Sequence, residues 1–294
     1  PLEVIKMGYK NKKLKRVLFR PLILLTLPIS LGAHAGQKEE RIVDRAVAAY
    51  GGDKLLQLSG FKYTDHIVQY GSSFSGHSPQ GAMSAHIDQQ YIETWVNLDK
   101  QTKLFKRTTT KLVGNQGSNN LVTSHRFFAN NKGTSIDHCL QEYRNVGWMN
   151  FENTDSGFSQ TLDPLIIRQL HKDKSNSVWT DTAFIQGLPH DVLTVNGGKK
   201  NEYSVYIDQN NGYLSRMTKK HGDNIRSYDY LNHGQNQGVV WAKQLFASSG
   251  EQTLYHSSDR RLHLGSIDRT KFKVPPGYQV ATADNFIDVS KVTI

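Results

Sequence analysis

The chain has 294 residues and a formal net charge of +10, from 36 Lys and Arg against 26 Asp and Glu. Seven of the basic residues lie in the first 35 positions, so the remainder carries only +4, and the composition does not favour a nucleic-acid partner. The single cysteine, Cys139, excludes an internal disulfide, and the length allows a sizeable core in one domain.

The first 35 residues have the parts of a secretory signal peptide. A cluster of basic residues precedes an apolar run at 17–31, and Ala33-His34-Ala35 places small residues where a signal peptidase cleaves. An arginine and two prolines interrupt the run, which is shorter than the ~20 residues needed to span a bilayer. We therefore predict a cleaved leader at 1–35, with residues 1–6 upstream of a start at Met7. The mature protein is expected in the periplasm of a Gram-negative bacterium or outside the cell.

Two segments have the periodicity of amphipathic helices. Between 39 and 50 apolar residues recur at steps of three and four, and a glycine pair then ends the pattern. Asp53 is predicted to cap a short second turn. Further along, Asp163 is a candidate N-cap and Pro164 a candidate first helical residue, before an apolar face that continues to residue 170.

The rest of the chain is predicted to be strands. Segments rich in Thr, Val, Ile, Tyr and Phe alternate with short turns containing Gly, Asn and Asp, which indicates antiparallel neighbours. The predicted strands are 61–70, 85–98, 102–113, 120–129, 134–143, 178–186, 191–195, 202–208, 213–219, 225–230, 239–247 and 252–255. This succession predicts a mainly β fold with a few helices: one large antiparallel sheet at 36–280, covered by the two amphipathic helices, and then a tail or linker at 281–294.

Four features occur in an order that resembles a known family. They are the helix ending in Gly51-Gly52, the helix opening with Asp163-Pro164, the strand 203–208 followed by Gly212-Tyr213-Leu214, and the closing segment 272–278. Together with the leader, they resemble the periplasmic lipoprotein-carrier family, which comprises the LolA/LolB-like proteins and the broader outer-membrane lipoprotein-sorting group. The similarity covers most of residues 38–280, and the segments 70–81 and 145–160 are expected to be insertions.

This resemblance implies a curved sheet that forms an open, incomplete β-barrel, with helices over a concave face that holds acyl chains. Burying a sixteen-carbon chain at ~0.8 kcal/mol per CH₂ contributes on the order of 10 kcal/mol, so binding needs no special polar residue. The family also implies a basic side chain that helps to hold the helices closed, and Arg107, Arg126 and Arg168 stand in strand or helix positions. We expect a monomer that binds an apolar small molecule, a lipid or a lipoprotein acyl chain and contacts a membrane or membrane protein only transiently.

Apolar side chains on the strands and on the central helix are the candidate ligand contacts, although for any one of them core packing is the favoured role. They are Trp95, Val96, Phe127, Leu165, Ile166, Leu170, Tyr203, Val205, Ile207 and Trp241.

Motifs for catalysis, metals and cofactors are missing from the sequence. Zinc-site spacings do not occur, and the nearest cluster, His256, Asp259 and His263, falls in a segment that is predicted to be strand and turn. Cys139 follows His138, but neighbours in a strand point to opposite faces, so a catalytic pair is not favoured over a half-buried structural thiol. No catalytic residue, metal or cofactor is predicted, and an enzymatic role is not favoured.

Two alternatives stay open. The chain also resembles the N-terminal region of exported hydrolases of the metallo-β-lactamase fold, because of Gly51-Gly52 and the Pro275-Pro276-Gly277 ending. In that case it is a non-catalytic accessory domain whose catalytic part lies beyond Ile294. The other alternative is a structural module that binds a partner through exposed strand edges.

Overall fold

The computed structural model describes residues 32–72, 85–113, 118–147, 162–199, 201–221, 224–265 and 267–281. Residues 1–31 of the predicted leader, residues 282–294 of the predicted tail and most of both predicted insertions lie outside the described residues. The leader cleavage and the domain limits therefore stay predictions.

The described chain is mainly β-structure with three α-helices. The helices are α1 (Gly32–Ala49), α2 (Asp53–Leu56) and α3 (Asp163–Lys172), and short 3-10 turns occur at Lys174–Asn176 and Arg269–Phe272. The strands are β1 (Gly60–Ser72), β2 (Ala85–Asn97), β3 (Thr102–Val113), β4 (Ser118–Ala129), β5 (Lys132–Asp137), β6 (Glu142–Asn145), β7 (Ser177–Ile185), β8 (Leu188–Val195), β9 (Tyr203–Asp208), β10 (Leu214–His221), β11 (Asn224–Asn236), β12 (Val239–Ser249), β13 (Gln252–Leu264) and β14 (Gln279–Val280).

All the described strands form one open sheet. Its order is β14-β6-β5-β4-β3-β2-β1-β13-β12-β11-β10-β9-β8-β7, so two meanders, β1–β6 and β7–β13, join where β1 pairs with β13. Neighbouring strands are antiparallel except β14 and β6, which are parallel. The two ends of this order do not pair with each other. The prediction of one large antiparallel sheet that does not close into a barrel is confirmed.

The sheet curves around α1 and α3. Side chains from nine neighbouring strands, β2 through β1 and β13 to β7, share one apolar core with these helices. Nine strands at ~4.8 Å spacing would be roughly 38 Å wide if flat, whereas two packed helices cover only about 20 Å. The strands must therefore wrap around the helices. We call the side that faces α1 and α3 the inner face and the opposite side the outer face.

Two-residue turns set the register of two hairpins. Asn130 and Asn131 between β4 and β5, and Gln237 and Gly238 between β11 and β12, all have positive φ angles, as the type I′ turn requires. Gly238 has a second role, because Gly51 at the end of α1 lies so close to its carbonyl that a Cβ on Gly51 would not fit. The end of α1 is thereby placed against the β11–β12 hairpin.

The predicted strand 134–143 is wrong in its middle. It divides into β5 and β6 because the Asp137 carboxylate accepts the backbone N–H groups of Cys139 and Leu140 and folds the chain into a turn. Cys139 is consequently exposed, not half-buried as expected. The predicted strand 252–255 is too short, since β13 continues to Leu264.

Candidate functional site

The inner face is covered by the apolar stripes of two helices. Helix α1 packs onto it through residues spaced three and four apart, and α3 does so over two turns. The buried side chains are Ile42, Val43, Ala46, Val47 and Tyr50 of α1 and Ile166, Ile167 and Leu170 of α3. The predicted amphipathic helices are present, and each buries the face that the sequence pattern indicates.

A buried arginine lies under these helices. Arg260 of β13 is 1% exposed, and its Nε donates to the hydroxyl of Tyr63 at 2.8 Å. The same Nε lies 3.9 Å from Oδ2 of Asp65, and Nη1 lies 4.0 Å from Oδ1 of Asp163 on α3. Asp65 also accepts hydrogen bonds from Tyr63 and Ser257. One buried cation thus faces one carboxylate of the sheet and one carboxylate of a helix.

Asp163 connects both helices to the sheet. Its Oδ2 accepts the hydroxyl of Tyr50, at the end of α1, at 2.9 Å and the backbone N–H of Ala242, on β12, at 2.7 Å. Tyr50 also contacts Nε2 of His233 on β11 at 3.1 Å. We call the group formed by Tyr50, Asp163, His233, Arg260, Asp65 and Tyr63 the inner polar network.

Burial controls the protonation states in this network. It raises the pKa of the Tyr50 and Tyr63 hydroxyls well above the usual value, so both hydroxyls keep their protons. It also lowers the pKa of His233, which disfavours a charged imidazole despite the nearby Asp163. Burial by itself would lower the pKa of Arg260, but Tyr63, Asp65 and Asp163 raise it overall, so the guanidinium stays charged.

Burial also shifts the pKa of the sheet carboxylate in the network. Burial raises the pKa of Asp65, and Arg260 and the hydrogen bonds from Ser257 and Tyr63 offset this only in part. A buried ionic group of this kind adds little net stability over an apolar replacement. Removing one partner, however, leaves the remaining charges buried without compensation and costs about 3–5 kcal/mol. The network therefore fixes where α1 and α3 dock more than it strengthens the fold.

Polar contacts also surround the helices at their edges. Arg45 of α1 pairs with Asp191 of β8 at 2.7 Å, and Glu39 of α1 accepts the backbone N–H of Trp179 on β7. Arg168 of α3 donates to the carbonyl of Leu58. These contacts are partly buried, and they hold the helices more weakly than the fully buried network does.

A separate cavity of about 460 Å³ opens on the outer face beneath the β7–β8 hairpin. Phe184, Leu188 and Phe246 line it and are exposed, while Arg216 and Asp229 form an ion pair within it. His190, also in the lining, is buried and bonds Ser215 and the carbonyl of Leu188. This cavity lies across the sheet from the inner polar network.

Eight of the ten predicted contact residues lie in the core under the helices. Six are buried and two are partly buried: Val96, Ile166, Leu170, Val205, Ile207 and Trp241, and then Leu165 and Tyr203. The other two, Trp95 and Phe127, belong to a different cluster with Leu104 and Ile136 on the outer face. The structure therefore gathers most of the predicted set and separates these two from it.

The basic residue that faces the helices is not one of the three considered from the sequence. Arg168 bonds a carbonyl, Arg126 is half-buried with its pKa lowered by burial, and the side chain of Arg107 lies outside the described residues. Arg260 was missed because Ser257 and Arg260 stand at inner positions of β13 and interrupt the apolar alternation of a strand.

Asp163 was assigned the wrong role. The N-cap of α3 is Leu162, and the Asp163 carboxylate turns to the inner face instead of capping the helix. Similarly, α2 begins at Asp53 after Gly52, without a side-chain cap.

Neither a cluster of metal ligands nor a membrane-spanning helix occurs among the described residues. Within these residues no group of three or more His, Cys, Asp and Glu side chains is placed to hold a metal ion. His256 stacks on Phe246, and Asp259 pairs with Arg261. Across the same ranges, no helix combines the length and apolar character that a membrane crossing requires.

Comparison with known proteins returns solved structures alone. No protein-family model matches the chain, and no curated protein matches it significantly. The chain is similar to a LolA superfamily protein from Nitrosomonas europaea, at 10% identity and a TM-score of 0.45, over 80% of this chain and 97% of that one. It is also similar to a DUF1329 family protein from Desulfovibrio piger, at 11% identity and a TM-score of 0.40, over 80% and 96% of the two chains. A third similar structure is LprF from Mycobacterium bovis, at 12% identity and a TM-score of 0.27, over 74% and 95%.

The resemblance suggested by the sequence thus recurs among solved structures, at low identity.

Proposed function

We propose that this protein is exported to the periplasm and binds a lipid, an acyl chain or another apolar ligand on the inner face of its sheet, beneath α1 and α3. The supporting observation is an apolar inner face covered by two helices that one buried polar network holds in place. In this proposal the helices are a removable cover and the ligand replaces part of their apolar contact. The protein acts as a monomer that meets membranes or membrane proteins transiently.

The energetics of such an exchange are favourable. The apolar side chains under the helices are buried, so a ligand must displace at least one helix before it enters. A sixteen-carbon chain contributes on the order of 10 kcal/mol on burial, which is enough to offset the loss of several helix contacts. The proposed contacts are the eight predicted residues of the inner core, whereas Trp95 and Phe127 on the outer face are not included.

The hydrogen bond from Tyr50 to Asp163 is the contact most suited to control opening. It joins the end of α1 to the start of α3, and it involves a charged acceptor, which makes it worth about 1.5–3 kcal/mol. Removing the Tyr50 hydroxyl while keeping the ring should therefore weaken the closed state without a large change in packing.

Lipid analysis and a fluorescent probe test this proposal. Protein purified from the periplasm is extracted and its lipids are identified by mass spectrometry, and N-phenyl-1-naphthylamine is titrated into delipidated protein with palmitate as competitor. We expect co-purifying lipid and saturable probe binding that palmitate reverses. Tyr50→Phe should speed probe association by about tenfold or more, because a loss of ~1.5 kcal/mol or more in the closed state corresponds to that factor.

The outer cavity supplies the matched control. Phe246→Ser alters that cavity and leaves the inner face untouched, so its probe binding should equal that of the wild type. If Phe246→Ser abolishes binding while Tyr50→Phe has no effect, the ligand lies on the outer face and the proposal is wrong. Absence of both extracted lipid and saturable binding also contradicts it.

A further inference from the structure

A hydrogen-bonded serine and histidine lie in the cavity on the outer face. Oγ of Ser215, on β10, is 2.8 Å from Nε2 of His190, on β8, although the two residues are 25 positions apart in the chain. Nδ1 of the same ring is 2.8 Å from the carbonyl oxygen of Leu188. His190 is 1% exposed, and both residues line the cavity of about 460 Å³. A nucleophile, a base and a group that orients the base are therefore in contact.

The carbonyl fixes which nitrogen of His190 carries the hydrogen. A carbonyl oxygen only accepts, so Nδ1 must donate to Leu188. In the neutral ring Nε2 then has no hydrogen, and the Ser215 hydroxyl must be the donor in the contact between them. A general base beside a serine nucleophile has this arrangement, in which a third group holds the tautomer and stabilises the charged ring that forms. The pair thus has the polarity needed to deprotonate Ser215.

A β-bulge directs Ser215 into the cavity. The register of β10 against β9 shifts between Leu214 and Arg216, which leaves Ser215 as an extra residue that opposes no residue of β9. In a regular strand Ser215 and Arg216 would point to opposite faces, whereas here both line the same cavity. Bulges are frequent beside active sites because they re-aim a side chain in this way.

The rest of the lining suits a carboxylic ester. Arg216 donates Nε and Nη2 to the Asp229 carboxylate, at 2.5 and 3.1 Å, and among the described residues its Nη1 has no hydrogen-bond partner. That nitrogen is a donor for the negative charge that develops on an ester carbonyl under attack. Phe184 and Leu188, which are 73% and 48% exposed, add apolar surface for the acyl group. The cavity also has the size of a small-molecule site.

We propose that Ser215 and His190 are the nucleophile and the base of a serine esterase site for esters with an apolar acyl group. Oγ of Ser215 attacks the ester carbonyl carbon while its proton passes to Nε2 of His190. The ester C–O bond then breaks, the proton leaves with the alcohol, and the acyl group stays on Ser215. Water next attacks the acyl carbon and gives a proton to Nε2, the bond to Oγ breaks, and Ser215 regains the proton as the acid leaves. This site does not depend on a ligand at the inner face.

A fluorophosphonate tests the site on the full chain, because it bonds to an activated serine with loss of fluoride. Wild-type protein is treated with the reagent, digested and mapped by mass spectrometry. We expect the phosphonate on Ser215 and none on Ser227, a half-buried serine of β11 outside the cavity lining. The wild-type map decides the proposal without any variant, since absence of an adduct on Ser215 contradicts it. That result would leave the proposal of an inner-face ligand unaffected.

Variants separate reactivity from structure. His190→Asn keeps an amide N–H for the Leu188 carbonyl but has no base for Ser215. It should slow both phosphonate labelling and hydrolysis of p-nitrophenyl butyrate by about a hundredfold or more, while its urea midpoint shows that it is folded. Ser227→Ala is the matched control and should equal the wild type in both assays. The proposal is wrong if the wild type does not hydrolyse the ester, if Ser215→Ala hydrolyses it at the wild-type rate, or if His190→Asn is labelled as fast as the wild type.

Discussion

The helices on the inner face and the segment 267–281 on the outer face cover apolar patches in different ways. Beneath the helices, the polar contacts are buried and centred on Arg260 and Asp163, whereas those of the segment 267–281 end in the exposed ring of His138. Burial makes the first set costly to disturb, while the exposed contacts of the second set contribute less. One sheet thus carries a cover positioned by buried charges on one face and a cover held by apolar packing and exposed contacts on the other.

The largest expected effect comes from breaking the inner network. Asp163→Ala leaves the Tyr50 hydroxyl, the Ala242 N–H and Arg260 without their shared carboxylate. We expect the free energy of unfolding, measured by urea denaturation, to fall by about 3–5 kcal/mol. Asp259→Ala removes an exposed carboxylate next to Arg260 on β13, and its denaturation curve should overlie that of the wild type. Equal effects of the two changes would remove the distinction between buried and exposed contacts.

A smaller effect is expected from the buried histidine of the network. Burial lowers the pKa of His233, so the unfolded chain binds a proton that the folded chain resists. Its contribution to stability is therefore complete above the ordinary histidine range and is lost as the pH falls below it. Urea midpoints at about pH 7 and about pH 5.5 should differ more in the wild type than in His233→Gln. Both proteins retain Asp65, so the raised pKa of that carboxylate affects them equally. An identical pH dependence would show that His233 does not resist protonation.

The smallest effect is expected at the rim of the helices. Lys174 pairs with Glu40 at 2.7 Å, but both side chains are exposed to solvent. Lys174→Ala should therefore leave the urea midpoint and probe binding unchanged. A clear loss of stability would mean that surface contacts, and not the buried network, position α1.

Local patterns predicted the elements well because periodicity is a local property. The apolar stripes of α1 and α3 and most strands of both meanders follow from spacings within a few residues. The turn at Asn130-Asn131 follows from residues that tolerate positive φ. The covering helices and the single large sheet were therefore within reach of the sequence.

The inner network could not be predicted, because its partners are distant in the chain. Tyr50 and Ala242 lie 113 and 79 residues from Asp163, so nothing near Asp163-Pro164 distinguishes a network carboxylate from a helix cap. Likewise, the contacts of His138 with His125 and Tyr278 depend on β-pairing and on the path of residues 267–281. Polar residues at alternate positions of a strand are the local signal that could have indicated an inner polar site. Ser257 and Arg260 do not show this alternation, because a register shift separates them by three residues.

Photolabelling tests the central claim most directly. A fatty acid carrying a diazirine at the end of its chain is bound to the delipidated protein, activated by light, and its attachment sites are mapped by mass spectrometry. We predict labels on inner-face residues such as Ile166, Val205 and Trp241. Labels confined to Phe184, Leu188 and Phe246 around the outer cavity, or no saturable labelling at all, would contradict the account.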